Sequence, residues 1–401
     1  MPDLVIVADD LSGAAEAAAT FLLRTTRITI SLDVMADTHL MPGIVAVDTH
    51  SRRRDPRDAA RLATAAVAGL AGVPIIKKVD SLLRGNIAAE VGALTAALDA
   101  ARPGAHGVAP VVATALPAAG RTVVDGVPHV HGVPLHATTL WDAERNPPPH
   151  TVAAALHPLP TATIPLGTVR GGTGALATCL RDAQASGTVA VCDAETDDDL
   201  DAIHAAATRL APGAPLVGSA GLCAAAARAY PRGDVPVTPL TCADAVLIVA
   251  GSAAPSLDAQ LLALAADTDA LLRLDPHALL RDPAGAARET TGLLRHTRHG
   301  VVTLRRTPVD PDLSGPLVDA LARAVAPSAA DGRALILTGG ETARTVLDLL
   351  GIDRLRPSHT DGGAVVSSTD TGQVVVTRPG SFGTPGSLAA LARALTSKEP
   401  A

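Results

Sequence analysis

VPIIKKVDSLLRGNIAAEVGALTAALDAA, residues 73–101, carries the reading of the fold. A short apolar run ends in two lysines, Lys77 and Lys78. A polar turn follows, from Asp80 and Ser81 to Arg84, Gly85 and Asn86, and the chain then takes on helical period. Ile87, Val91, Leu94 and Leu98 fall at i, i+4, i+7 and i+11, one face of a helix. Strand, polar loop and amphipathic helix form the unit of a parallel sheet, since parallel strands need a crossover and the crossover helix covers the sheet.

The unit recurs. LVIVA (4–8) ends in Asp9-Asp10 and leads into LSGAAEAAATFLLR, while GIVAVDTHSR (43–52) leads into DPRDAARLATAAVAGL. Residues 230–244, YPRGDVPVTPLTCAD, interrupt the pattern with three prolines and a glycine. A second alternation follows: AVLIVAGSAAPSLDAQLLALAA, GVVTLRR, ALILTGGETARTVLDLLG and the strand-like GQVVVTRPGSFG. The expected fold class is therefore α/β, with two domains, each a largely parallel sheet flanked by helices, and a cleft between them. The expected boundaries are residues 1–232, a linker at 233–243, and residues 244–401.

Composition narrows the function. The 401 residues are 47% hydrophobic but only 1% aromatic, so the cores must be built from Ala, Val and Leu. A net charge of −7 argues against a general nucleic-acid or anionic-membrane surface, though not against a small basic pocket. Apolar runs fall short of the ~18 residues of a membrane span, and MPDLVIVADD lacks the basic start of a secretory leader. Cys179, Cys192, Cys223 and Cys242 have neither CxxC nor zinc spacing, which suits free thiols in a cytoplasmic protein.

Ligands of open α/β sheets bind beyond the carboxyl ends of the strands. Here those positions hold Asp9-Asp10, Asp48 with Arg52, and Lys77 through Arg84. Only three of the 33 basic residues are lysine, and two stand side by side at 77 and 78. With Arg84, Asp80, Ser81 and Asn86 they suit a small carboxylate-bearing, polyhydroxylated substrate, because guanidinium forks bind carboxylates and ammonium groups act as mobile point charges. The cluster 77–84 is thus expected to grip that carboxylate. In the second half, Gly339-Gly340 stand between an apolar run and a helix starting near Glu341-Thr342, an arrangement suited to phosphate. AGSAAPS (250–256) and PGSFG (379–383) are similar turns. Neither a Walker P-loop nor GxGxxG after a strand is present. His129, His131 and His136 in PHVHGVPLH invite a metal reading, but no distant ligand set matches them.

VIVADDLSGAAEAA, DTHSR, KKVDSLLRGN, LPAAGRTVVDGV, GSAAPSLDAQ, LTGGET and GSFG, in this order from about residue 3 to 395, resemble the four-carbon acid sugar kinase family of 3-oxo-tetronate, D-threonate and D-erythronate kinases. The resemblance implies an N-terminal domain for the sugar acid and a C-terminal domain for ATP with Mg²⁺, with phosphorylation of a terminal hydroxyl in the cleft. It places Asp9, Asp10, Arg52, Lys78, Asp80, Arg84 and Asn86 toward the substrate, and of these Asp10 or Asp80 is expected as the catalytic residue that orients the hydroxyl and accepts its proton. Ser252, Gly339, Gly340, Glu341, Thr342, Gly380 and Gly383 fall toward the nucleotide; it identifies no magnesium ligand and leaves a homodimer open. The sequence departs from the family at Leu82, Ala254 and Pro379, each of which replaces a hydroxyl-bearing residue. Two alternatives stand beside it: a kinase that has drifted to another small hydroxy acid, and a non-catalytic sugar-acid or nucleotide sensor.

Overall fold

The computed structural model describes the chain apart from residues 102–108, 143, 211–213, 237–239, 252–255, 266–267, 309, 381 and 397–401. The chain falls into two compact units, Met1–Val235 and Pro236–Ala401.

The first unit contains β1 (Pro2–Ala8), β2 (Ile28–Ser31), β3 (Gly43–Asp48), β4 (Ile75–Lys78) and β5 (Val111–Ala113). A small antiparallel sheet follows, β6 (Arg121–Val124), β7 (Val127–Val130) and β8 (Val133–Pro134); β9 (Thr161–Ile164), β10 (Val189–Cys192) and β11 (Leu216–Gly218) rejoin the main sheet. The main sheet runs β2-β3-β1-β4-β11-β5-β10-β9, and every pairing is parallel. β1 is flanked by β3 and β4, so the chain winds outward on one side of β1 and then returns to its other side. Such a reversal leaves a crevice at the strand ends.

The helices that cover this sheet follow from sequence. Asp10 caps α1 (Leu11–Ala19) by accepting the Gly13 N–H, and Asp55 caps α2 (Pro56–Ala66), which has Pro at its start. α3 (Ile87–Ala100) buries Ile87, Val91, Leu94 and Leu98, the expected stripe, and also Glu90. On that side Val5, Val7, Val45, Val47 and Ile75 pack with Ala63, Leu70, Leu94 and Leu98. The alanines of α1 are small enough to bring its backbone close to β1 and β3. Phe21, just beyond α1, meets Tyr230 edge to face with ring centroids 5.8 Å apart, a use of two of the few aromatic rings.

In the second unit β12 (Val246–Ala250), β13 (Ala270–Leu274), β14 (His299–Leu304), β15 (Ala334–Thr338), β16 (Arg354–Asp361), β17 (Ala364–Ser368) and β18 (Val374–Arg378) run in the order β13-β14-β12-β15-β18-β17-β16. The first five are parallel, while β17 pairs antiparallel with both β18 and β16. Sequence reading did not separate these antiparallel strands. Gly362 and Gly363, at φ +51° and +83°, make the β16–β17 turn. Their core is aliphatic: Val246, Ile248, Leu257, Leu261, Ile336, Val376 and Leu388.

The histidine-rich stretch lies on the small sheet. His129 is on β7 with Nδ1 2.9 Å from the Val127 carbonyl, whereas His131 stands in the following turn. Among the described residues no group of three or more His, Cys, Asp or Glu is placed to hold a metal, the cysteines are free thiols, and no helix is long and apolar enough to cross a membrane.

Candidate active site

The parallel register brings three loops together. Ala8 on β1 lies opposite Asp48 on β3 and opposite Lys78 on β4, so the residues that follow emerge side by side. The Ser51 and Arg52 amides both donate to the Asp9 carbonyl, at 3.0 and 3.2 Å, which locks the first loop to the second.

Arg52 is the hub of the acidic side. Its Nε is 2.7 Å from Asp9 Oδ2, and its second terminal nitrogen is 2.9 Å from Asp9 Oδ1 and 2.7 Å from Asp10 Oδ1. Two adjacent carboxylates on buried backbone repel, and one guanidinium fork satisfies both. Glycine makes the close approach possible: a Cβ on Gly13 would stand 2.7 Å from Asp10 Oδ1 and 3.0 Å from Lys78 Nζ. At Gly85, φ +91°, it would stand 3.1 Å from Asp9 Oδ2.

The loop after β4 folds on itself. Arg84 Nε donates to Asp80 Oδ2 at 2.5 Å, its terminal nitrogen to Oδ1 at 3.0 Å, and its backbone N–H to Oδ2 at 3.2 Å. Leu83, between them, is held at φ +61°, and His50 in the neighbouring loop at φ +48°. Such non-glycine conformations persist only where surrounding contacts enforce them. Asn86 spends its amide hydrogens on the Ser51 and Arg54 carbonyls, at 3.0 and 2.9 Å, which clamps the Arg52 loop.

The two lysines separate. Adjacent strand residues face opposite sides of a sheet, and Lys78 Nζ lies toward α1, 3.1 Å from the Val79 carbonyl and 3.8 Å from Glu16. Lys77 points to the other face, where Nζ is 2.9 Å from Glu90 on α3, both side chains at most 1% exposed. Glu90 also accepts a short hydrogen bond from the Ser51 hydroxyl. Lys77 is therefore not part of a basic cluster that grips a ligand, as expected from sequence, but the centre of a buried network that holds the Ser51–Arg52 loop.

Sequence reasoning passed over three contributors. Glu16, in the second turn of α1, reaches Lys78. Arg121, the first residue of β6, donates to Ser81 Oγ, and the Trp141 indole N–H donates to the Leu82 carbonyl at 2.8 Å. Arg121 sits in LPAAGRTVVDGV and Trp141 is the lone tryptophan, signals that could have drawn attention.

The titrations divide the carboxylates. Burial opposes ionisation of Asp80, but Arg84 and Arg52 outweigh it and hold the carboxyl well below the usual range. At Asp9 burial is likewise overcome, by Arg52 and then Lys77 and Lys78, and the group is held low. At Asp10 burial prevails over the attraction of Arg52, and repulsion from Asp9 and Asp80 adds to it, so this carboxyl is raised. Glu16 is raised by burial against Lys78 and Arg121.

In the second unit the glycine turns adjoin one another. The helix Gly340–Leu349 starts at Gly339, φ +91°, without a side-chain cap. Its first N–H groups and dipole suit an anion. A Cβ on Gly251 would stand 2.3 Å from Thr342 Oγ1, so the turn after β12 touches that helix start. Gly251→Ala is therefore expected to destabilise the second unit by about 1–3 kcal/mol through overpacking, seen as a lower denaturation midpoint than wild type. The Gly339 N–H donates to the Arg378 carbonyl at 2.9 Å. The Arg378 side chain donates to the Phe382 carbonyl and to Ser387 Oγ, the latter at 3.4 Å, and a Cβ on Gly383 would meet it. Gly380 lies in the turn between them, Glu341 is in the first turn of the helix, and Ser252 lies outside the described residues.

Comparison with known proteins divides the chain in the same sense. Residues 4–226 match a sugar-binding N-terminal domain family and residues 247–388 a nucleotide-binding C-terminal domain family. A D-threonate kinase of Cupriavidus necator is 34% identical over 96% of both chains, and one of Salmonella typhimurium is 28% identical over 96% of both. A D-erythronate kinase of Heliobacterium modesticaldum is 34% identical over 51% of this chain and 47% of its own. Among solved structures, one from Salmonella typhimurium LT2 superposes with TM-score 0.77 at 21% identity, over 97% of this chain and 98% of its own, a likeness of fold. Another, from Bordetella bronchiseptica, has TM-score 0.50 at 28% identity over 98% of both chains and is described with bound citrate as a domain-swapped dimer.

Proposed function

The chain belongs to the four-carbon acid sugar kinase family, and on that footing we propose that it transfers the γ-phosphoryl group of ATP to the terminal hydroxyl of D-threonate. The relatives that align along its whole length carry that name, whereas the D-erythronate kinase aligns with half of it. The observation that carries the reading is the charged cluster beyond the ends of β3, β1 and β4, where Asp9, Asp10, Glu16 and Asp80 interleave with Arg52, Lys78, Arg84 and Arg121. Carboxylates that accept from hydroxyls and cations that hold a carboxylate are what a polyhydroxy acid requires.

In this reading residues 1–232 bind the sugar acid and residues 244–401 the nucleotide, joined by 233–243. Asp10 is the base. The terminal hydroxyl oxygen attacks the γ-phosphorus, its proton passes to Asp10, and the bond to the β–γ bridging oxygen breaks to leave ADP. Asp80 is less suited to the proton because Arg84 holds it ionised through three hydrogen bonds; it orients Arg84. Lys78, Arg84 and Arg52 balance the anionic charge of substrate and phosphate, Asp9 fixes Arg52, and Asn86 fixes the loop that carries it.

The triphosphate fits the uncapped helix start at Gly339, Gly340, Glu341 and Thr342, with the turns at Gly251, Gly380 and Gly383 leaving room for its oxygens. Ser252 belongs to the same side by sequence. Mg²⁺ would arrive on the phosphates, where it screens their charge, since such ions keep phosphate and water ligands. We place the enzyme in the cytoplasm, where its free thiols stay reduced. A homodimer is the assembly favoured by the Bordetella bronchiseptica structure.

The test is an ADP-release assay with ATP-Mg²⁺ against D-threonate, L-threonate, D-erythronate and 3-oxo-tetronate. D-threonate is expected to give the highest kcat/KM, by about tenfold or more, a margin worth ~1.4 kcal/mol of transition-state binding. A preference for another acid would remove the substrate assignment and leave the reaction class; ADP release with none of them would remove both.

A further inference from the structure

We infer that Trp141 is a positioning residue for the acid site: its indole N–H pins the peptide between Leu82 and Leu83, and so fixes the loop that carries Asp80 and Arg84. The inference rests on the kinase reading above and extends it to a segment outside the parallel strand ends.

The loop holds an unfavourable backbone. Leu83 is buried and sits at φ +61°, a left-handed conformation that a leucine keeps only where contacts enforce it. The peptide unit joining Leu82 to Leu83 sets this angle, and both of its polar ends are held. Its N–H, on Leu83, donates to the Asp80 carbonyl at 2.9 Å. Its carbonyl, on Leu82, accepts from Trp141 Nε1 at 2.8 Å. Turning that peptide over would relieve Leu83 and carry Arg84 with it. Arg84 is joined to Asp80 through its backbone N–H as well as its guanidinium, so the ion pair depends on the same backbone.

Trp141 is itself held in place. It follows the short 3-10 turn Leu135–Ala137, whose Leu135 is fully buried, and its carbonyl accepts the Glu144 N–H at 2.8 Å. His136 and His150 stack with ring centroids 4.2 Å apart, which closes the base of the chain between them. Just beyond, the Val152 N–H donates to the Gly126 carbonyl at 2.9 Å, and the Gly126 N–H donates to the buried Asp193 carboxylate at 2.8 Å. Two side-chain contacts reach the 80–84 loop from the same direction: Arg121 donates to Ser81 Oγ, and Glu144 lies 4.0 Å from Arg84. Of these three contacts the indole bond is the one that grips backbone. Indole offers a donor and no acceptor on a rigid ring, so it sets one position for the carbonyl. A loop fixed before the acid arrives has less freedom to lose on binding it.

The test is titration calorimetry of D-threonate and, separately, of ATP-Mg²⁺ onto the full-length wild type, Trp141→Phe and Trp141→His. Phenylalanine keeps an aromatic ring and loses the donor; the histidine Nε2–H stands at the same place along its ring as the indole N–H. The Phe variant is expected to raise the Kd for D-threonate by about fivefold or more, and the His variant to return it to within about twofold of wild type. The Kd for ATP is expected to stay within about twofold in both, since the change lies on the acid side. Unchanged D-threonate affinity in the Phe variant, or equal weakening of both ligands, would overturn the inference. Equal loss of acid affinity in the Phe and His variants would assign the effect to ring packing and overturn it too. Should the Phe variant not fold, acrylamide quenching of the lone tryptophan in the wild type decides. The acid and the indole bond must stabilise each other reciprocally, so D-threonate is expected to slow quenching and ATP-Mg²⁺ to leave it unchanged. Identical quenching with and without D-threonate removes the inference. If the wild type phosphorylates D-threonate while the Phe variant binds it normally, this inference alone fails. If the wild type binds ATP but no four-carbon acid, the substrate assignment fails and the inference with it.

Discussion

Asp10→Asn is expected to lower kcat by two to four orders of magnitude, about the range contributed by a positioned general base, with the KM for ATP little changed. The asparagine can still cap α1 through its side-chain oxygen, so the fold is preserved and the loss reports on chemistry. Asp80→Asn is expected to act differently. It removes the anchor of Arg84 and should raise the KM for the acid more than it lowers kcat. The pH profile carries the same assignment. Because burial raises the Asp10 carboxyl, and only its ionised form accepts a proton, activity should fall on the acid side at a higher pH than an ordinary aspartate would impose. The acid limb should be absent from the residual activity of Asp10→Asn. Near-normal kcat in both variants at saturating substrate, or an acid limb that survives in the Asn variant, would assign the base elsewhere.

The second large effect concerns the lysine that left the site. Lys77→Met leaves the buried Glu90 carboxylate without its counter-charge, and Glu90→Gln does the same to the buried ammonium group. Each is expected to destabilise the first unit by about 3–5 kcal/mol, the usual penalty for half of a buried pair. The double variant Lys77→Met/Glu90→Leu should recover more than half of that loss, since a packed apolar pair replaces both charges. Ser51 retains Thr49 at 2.7 Å in that background. Activity should not recover to the same extent, because the Glu90–Ser51 bond that steadies the Arg52 loop is gone. Denaturant unfolding of the first unit, read beside kcat/KM, separates the two. Full recovery of both would reduce the pair to a packing element.

The first unit was largely legible because its strands end abruptly in charge. LVIVA into Asp9-Asp10 and IIKK into Asp80 state both the strand and its charged end, and the stripe Ile87, Val91, Leu94, Leu98 states the crossover helix. Strand order was not legible, because neighbours are chosen by tertiary packing; the position of β1 between β3 and β4 is what brings three separate motifs side by side. The facing of the lysines was hidden for a related reason. Alternation along β4 says that Lys77 and Lys78 diverge, but only the placement of α3 says which is buried. Glu90, at i+3 from Ile87 within an apolar stripe, was the available signal for a buried cation. Arg121 lay furthest from reach, since its position depends on a hairpin whose docking onto β10 leaves no periodic mark in the sequence.

The most direct test of the central claim is the structure of the product. Phosphorus NMR of a reaction with D-threonate and ATP-Mg²⁺ is predicted to show ADP together with a phosphomonoester signal split as a triplet by a terminal methylene group. A doublet from a secondary carbinol, or inorganic phosphate alone, would contradict it.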